Sequence, residues 1–151
     1  MKKFELTSES IVNIFGKRLF RIKALIEFGN VEEGELGGFV EKEENLSHEG
    51  DAWVYGNAEV SGNARVYGDA KVCGDAWVCG NADYATVKGF GTEYRTTTFF
   101  KCKDGILRVR CGCFYGDLEE FRNQVKNTRK GKIVEEYLMI ADLMEKHFKE
   151  E

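Results

Sequence analysis

Gly50-Asp51-Ala52-Trp53-Val54-Tyr55 opens a stretch that repeats every six residues and ends with Gly80-Asn81-Ala82-Asp83-Tyr84-Ala85. Between them run Gly56-Asn57-Ala58-Glu59-Val60-Ser61, Gly62-Asn63-Ala64-Arg65-Val66-Tyr67, Gly68-Asp69-Ala70-Lys71-Val72-Cys73 and Gly74-Asp75-Ala76-Trp77-Val78-Cys79. Every unit has Gly, then Asn or Asp, then Ala. Gly-Asn and Gly-Asp supply the positive-φ geometry of a tight corner. Ala is small enough to sit inside that corner, and the β-branched Val at the fifth position suits a very short strand whose side chain points inward. A hexad of this kind reads as one strand and one turn, repeated.

Three units close a triangular coil of about 18 residues, so the stretch predicts two coils of a parallel β-helix built on hexapeptides. It resembles the left-handed hexapeptide β-helix family, and the resemblance implies the handedness. The expected fold is mainly β with C-terminal α. A strand and coil cap with imperfect coils covers 1–49, a short hexapeptide-repeat β-helix covers 50–88, and a β-hairpin with two helices covers 89–151. Repeat arrays need capping elements. Leu19, Ile22, Leu25, Ile26, Phe39, Val40 and Leu46 are available to cap the first coil.

The C-terminal third changes period. Arg95–Cys102 and Ile106–Cys111 flank Asp104-Gly105, a strong hairpin signal. A two-residue turn there places Cys102 opposite Leu107 and Lys101 opposite Arg108. One face then carries Thr98, Phe100, Cys102, Leu107, Val109 and Cys111, and the other Arg95, Phe99, Lys101, Lys103, Arg108 and Arg110. Asp117 followed by Glu120 reads as a helix N-cap with a capping box. A second helix after Gly131 carries Ile133, Tyr137, Ile140, Met144 and Phe148 on one face. The expected result is a ββαα unit.

Hydrophobic residues make up 42% of the 151-residue chain and charged residues 32%, which excludes a disordered polyelectrolyte. The longest apolar run, Tyr137–Ala141, is far short of the ~20 residues of a membrane span. Met1-Lys2-Lys3-Phe4-Glu5 has no signal-peptide core, so a cytoplasmic setting and reduced cysteines are expected. The net charge of −4 argues against non-specific duplex DNA binding. Residues 91–116 nonetheless carry five basic and two acidic side chains.

No metal and no cofactor are expected, because the hairpin register and the hexad spacing bring no four thiols together for a tetrahedral zinc site. His48 and His147 are the only histidines. A hexapeptide acyltransferase would need His48 in a cleft as general base; the alternative is a polar turn residue. On the basic hairpin face, Arg95, Phe99, Lys101, Arg108 and Arg110 suggest an anion-binding surface of cations around an aromatic ring. Neutralisation by the acidic helices is the alternative. On the repeat, Trp53 and Tyr55 share a face with Lys71 and Cys73, while Trp77 shares one with Glu59 and Ser61. Arg65 and Tyr67 occupy the third. These aromatic residues mark an interface or a ligand surface, unless the chain's own flanks cover them.

Beyond the repeat, the chain resembles a group of small phage and prophage proteins of unassigned biochemical role. The resemblance rests on Phe20–Leu25, Gly34–Glu41, Asn45–Gly50 and Gly112–Phe121. It implies a phage context in the cytoplasm of an infected or lysogenic bacterial host, and no catalytic residue. The expected function is a non-catalytic binding protein, a homo-oligomer (trimer or dimer), that counters host defence. It would sequester a nucleotide-like anionic small molecule or block a host defence protein. An acyltransferase and a purely structural or oligomerisation module are the alternatives.

Overall fold

In the first five hexads the corner glycines Gly50, Gly56, Gly62, Gly68 and Gly74 all take positive φ, between 63° and 71°. The alanines that follow are buried, and Val54, Val60, Val66, Val72 and Val78 are fully buried. At ~1.5–3 kcal/mol for each buried aliphatic side chain, this row is the main apolar gain of the repeat. The computed structural model describes residues 2–149.

Eleven strands and two helices follow in chain order. They are β1 (Phe4–Val12), β2 (Arg18–Ala24), β3 (Leu36–Val40), β4 (Trp53–Val54), β5 (Glu59–Val60), β6 (Lys71–Val72) and β7 (Trp77–Val78). Then come β8 (Tyr84–Phe90), β9 (Arg95–Lys101), β10 (Leu107–Cys111), β11 (Phe114–Asp117), α1 (Leu118–Thr128) and α2 (Lys132–Phe148). The strands build a five-stranded mixed sheet in the order β1-β2-β3-β5-β7, a four-stranded antiparallel sheet β11-β10-β9-β8 and a two-stranded sheet β4-β6.

This arrangement corrects the expected β-helix. The repeat makes parallel pairs, Trp53 with Lys71 and Glu59 with Trp77, but each strand is two residues long and the pairs fall in different sheets. The Arg65-Val66 position makes only an isolated bridge from Val66 to Leu46. Antiparallel strands then take over on both sides. The imperfect coils expected before residue 50 are also corrected: β1, β2 and β3 pair antiparallel, each pairing with one irregularity in register, and only β3 joins β5 in parallel. The sixth hexad leaves the pattern. Gly80 is extended at φ −161°, Asn81–Asp83 form a 3-10 turn, and Tyr84 starts β8. The tyrosine in place of valine stays buried with the repeat core, and its hydroxyl donates to the Arg65 carbonyl at 2.5 Å.

The hairpin register also differs from expectation by one residue. Leu107 faces Lys101 and Arg108 faces Phe100. Cys102 leaves the ladder to bridge Ala76, the Lys103 N–H donates to Asp75 O at 3.0 Å, and Gly105 closes a longer turn at φ 81°. A one-residue slip moves each side chain to the opposite face. Phe99, Val109 and Cys111 therefore point toward α1 and α2, joining Phe121, Val125, Tyr137, Ile140 and Met144. Phe100 and Cys102 point into the repeat core. With both phenylalanines fully buried, β9 has no solvent face.

The helices start as their sequences dictate. Asp117 Oδ1 accepts from the Glu120 N–H at 2.8 Å and Glu120 Oε1 accepts from the Asp117 N–H at 3.0 Å, closing the capping box. No helix among the described residues is long and apolar enough to cross a membrane.

A Cβ on Gly62 would collide with the Cys79 carbonyl oxygen, whereas one on Gly68 would meet open space, although both take positive φ. Gly68→Ala is expected to cost only the left-handed backbone penalty of about 1–2 kcal/mol. Gly62→Ala is expected to cost about 3 kcal/mol or more, since a collision is added to the same penalty. Urea denaturation of the two variants checks this, and equal losses would contradict the packing described.

Candidate functional site

The β4-β6 ladder sets Trp53 beside Lys71, and strand alternation puts Tyr55 on the same side as Trp53. Two other segments rise around this face. The β2-β3 connection folds over it with Gly29 at φ 51°, where a Cβ would touch Asp51. Opposite stand the β8-β9 hairpin and Arg110 of β10, tied to the repeat by the Lys71 N–H, which donates to Thr98 Oγ1 at 3.0 Å. Between them lies a cleft of about 720 Å³. Its lining includes Trp53, Tyr55, Lys71, Lys88, Arg95 and Arg110, all from one chain.

The Arg110 guanidinium lies 5.8 Å from the Tyr55 ring centroid, within cation–π range. Among the described residues it makes no salt bridge. Lys88 is held by Asp69 at 2.8 Å, and Lys71 Nζ donates to the Asp51 carbonyl at 2.5 Å. Lys88 holds the Asp69 carboxyl below its ordinary value, and burial lowers Lys71. Glu35, Asp51 and Asp69 also line the cleft, so four cations face three carboxylates. Trp53 is 1% exposed, and its indole N–H finds no acceptor among the described residues. An unmet buried donor costs about 1–3 kcal/mol.

The structure divides the residues singled out in the sequence. Arg95, Arg110, Trp53 and Tyr55 come together in the cleft. Phe99 does not: it is fully buried and packs edge-on to Phe121 at 6.1 Å, so it cannot stack with a ligand. Arg108 is held by both oxygens of Asp104 at 3.0 and 2.9 Å, which keeps the Asp104 carboxyl below its ordinary value. Lys101 faces Asp83 at 3.6 Å. The single basic face is thus corrected. The register slip puts Lys101 on the opposite face of the ladder from Arg108 and Arg110, and carboxylates take three of the four, Glu93 holding Arg95, Asp83 Lys101 and Asp104 Arg108.

Trp77 is covered by the chain's own β1-β2 turn, where Phe15 stacks on it at 5.5 Å and 7°. Tyr67 is 64% exposed and Arg65 is exposed, with no aromatic partner for either among the described residues. The sequence pattern gave no sign of Lys88, Tyr94 or the β2-β3 connection as parts of the cleft. Only the Asn30 and Gly29 turn residues signalled a loop there.

His48 is an anchor rather than a free base. Its Nδ1 accepts from the Lys3 N–H at 3.0 Å, Nε2 hydrogen-bonds Glu43 at 3.2 Å, and the ring stacks on Phe4 at 4.3 Å. Of the cysteines, Cys73, Cys102 and Cys111 are buried and burial raises the first two thiols; Cys113 is exposed at the cleft. Among the described residues no group of three His, Cys, Asp or Glu comes together to hold a metal ion. Comparison with family models and with curated proteins finds no match for this chain.

Lys3 fixes the N-terminus behind the cleft. Its Nζ donates to the carbonyls of Ala52 at 2.7 Å and Gly50 at 3.3 Å, and it lies 4.6 Å from the Phe28 ring centroid. Burial, with Lys71 nearby, holds its pKa down to about 8 from 10.5. Between those values the unfolded chain binds a proton that the folded chain has released. The contribution of Lys3 to stability therefore rises as pH increases through that window. An NMR titration of the Lys3 side chain should show a midpoint near 8; an ordinary lysine midpoint would contradict the burial.

Proposed function

We propose that this protein is a non-catalytic binding protein that sequesters a nucleotide-like anion in the cleft between the β2-β3 connection and the β8-β9 hairpin. The observation that carries this reading is Arg110, without a salt bridge among the described residues, above the Tyr55 ring inside a cleft of about 720 Å³. Pockets of ~300–1,000 Å³ suit small molecules. A ring system would lie against Tyr55, over the buried Trp53. Arg110, Lys71 and Arg95 would meet phosphate or another oxyanion. Charge-assisted bonds of this kind are roughly twice as strong as neutral ones.

The resemblance to phage proteins supplies the setting. Sequestering a signal nucleotide would counter a host defence without chemistry, and such a protein needs affinity rather than a base. His48, with both ring nitrogens bonded, offers no lone pair to an acyl acceptor. A second reading, in which the chain blocks a host protein, draws on exposed Val12 at the end of β1 and Ile14 and Phe15 of the turn after it. Whether copies of the chain associate bears on both readings, and native mass spectrometry reads subunit number together with any retained mass of nucleotide size.

Calorimetry against a panel of nucleoside mono- and diphosphates tests the cleft. Arg110→Glu is expected to weaken binding about 10–100-fold, the loss of one charged hydrogen bond with added repulsion. Affinity should also fall with added salt. Unchanged affinity in Arg110→Glu would remove the cleft from consideration. His48→Ala is expected to lower stability while leaving binding intact; loss of function without loss of stability would favour the acyltransferase.

A further inference from the structure

Behind the β8-β9 turn lies a second, smaller pocket of about 170 Å³, lined by Gly91, Thr92, Glu93, Arg95, Arg129 and Tyr137 with Phe90 at one side. Its lining is a set of anion partners: two guanidinium groups, a threonine and a phenol. Tyr137 is only 2% exposed and its hydroxyl reaches the turn, where a Cβ on Gly91 would stand 2.8 Å from it. Gly91 takes φ 80°, which lets the backbone approach the phenol. Arg129 caps the end of α1, half-buried, and makes no salt bridge among the described residues. Arg95 pairs with Glu93, its near neighbour on the same turn. At ~30 Å³ for each water, the volume holds a few waters or one tetrahedral oxyanion.

We propose that this pocket is a second anion site, built for one phosphoryl-type oxyanion, and that the Glu93 carboxylate occupies the anion's place in the unliganded protein. Glu93 neutralises Arg95, while Arg129 is left for the incoming group. An oxyanion with two or more charges replaces the single carboxylate and is met by both guanidiniums, with hydroxyl donors from Thr92 and Tyr137. Glu93, whose side chain is 65% exposed, swings into solvent at little cost. The site stands on residues outside the main cleft except for Arg95, which lines both. The oxyanion is either free inorganic phosphate or the terminal phosphate of a longer ligand whose ring lies against Tyr55. Tyr94, the one non-glycine residue with positive φ among those described, sits on the same turn and faces the larger cleft.

The test is an NMR titration of the full chain with inorganic phosphate and, separately, with a nucleoside diphosphate. The amides of Gly91, Thr92 and Arg129 report the small pocket, and the Trp53 indole N–H reports the cleft. Phosphate is expected to shift the Gly91 and Thr92 amides and leave the indole unmoved. Glu93→Gln should bind phosphate at least about 3-fold tighter, and Arg129→Gln about 10-fold weaker. Glu93 is exposed, so Glu93→Gln still tests the site if Arg129→Gln fails to fold. A diphosphate that moves both reporters identifies the longer ligand as the source. Movement of the indole alone overturns this site and leaves the cleft reading standing. Absence of any shift at Gly91 in both the wild-type chain and Glu93→Gln, or equal affinity in all three proteins, overturns it as well.

Discussion

Left-handed glycine corners bring successive passes of the repeat within van der Waals distance of each other, and the rest of the molecule is arranged around that constraint. At Gly50 and Gly56 the neighbours a Cβ would meet are backbone atoms of Gly68 and Gly74, one parallel pass further along. That spacing sets Val54 beside Val72 and Val60 beside Val78, all fully buried. It also lets two-residue strands, too short to be stable alone, share one core. The pattern ends where Tyr84 replaces valine, and the chain turns there into an antiparallel sheet.

The two cores then meet through a single strand. Phe100 is buried in the repeat and Phe99 among the helices, so β9 is packed on both sides. A strand buried on both faces has no solvent side on which to display charge. Its basic residues are therefore pushed to the ends and to β10. There Arg108 finds Asp104, Lys101 finds Asp83, and Arg110 faces Tyr55. The candidate cleft is a consequence of how this sheet abuts the repeat.

Charge pairing decides which cations remain for a partner. Short-range pairs within one turn, Arg95 with Glu93 and Arg108 with Asp104, form wherever sequence neighbours can reach each other. Arg122 is similarly shared among Glu119, Asp142 and Glu145 across α1 and α2. Arg110 and Arg129 lie beyond such reach, and each lines a pocket. Exposed pairs contribute only ~0–1 kcal/mol, so a polyanion displaces one of them cheaply.

Much of this was legible in the sequence. Local rules hold where the determinant is local: glycine for a positive-φ corner, valine for a buried strand, and Asp117 with Glu120 for the start of α1. The face shared by Trp53 and Lys71 follows from the period alone. Outside the repeat the sequence did not reveal what pairs with what. A period of six specifies a corner and a short strand, but not that β3 joins β5 in parallel or that Cys102 bridges Ala76, contacts between distant segments that packing chooses. Asp104-Gly105 announced a hairpin, yet the diversion of Cys102 to Ala76 set its register. That one-residue shift moved Phe99 into the core and split the basic face. By itself the sequence determined the local conformations and the buried row. Tertiary structure decided the sheet order, the register and the cleft, because non-local pairing depends on the total surface buried and on contacts no short window contains.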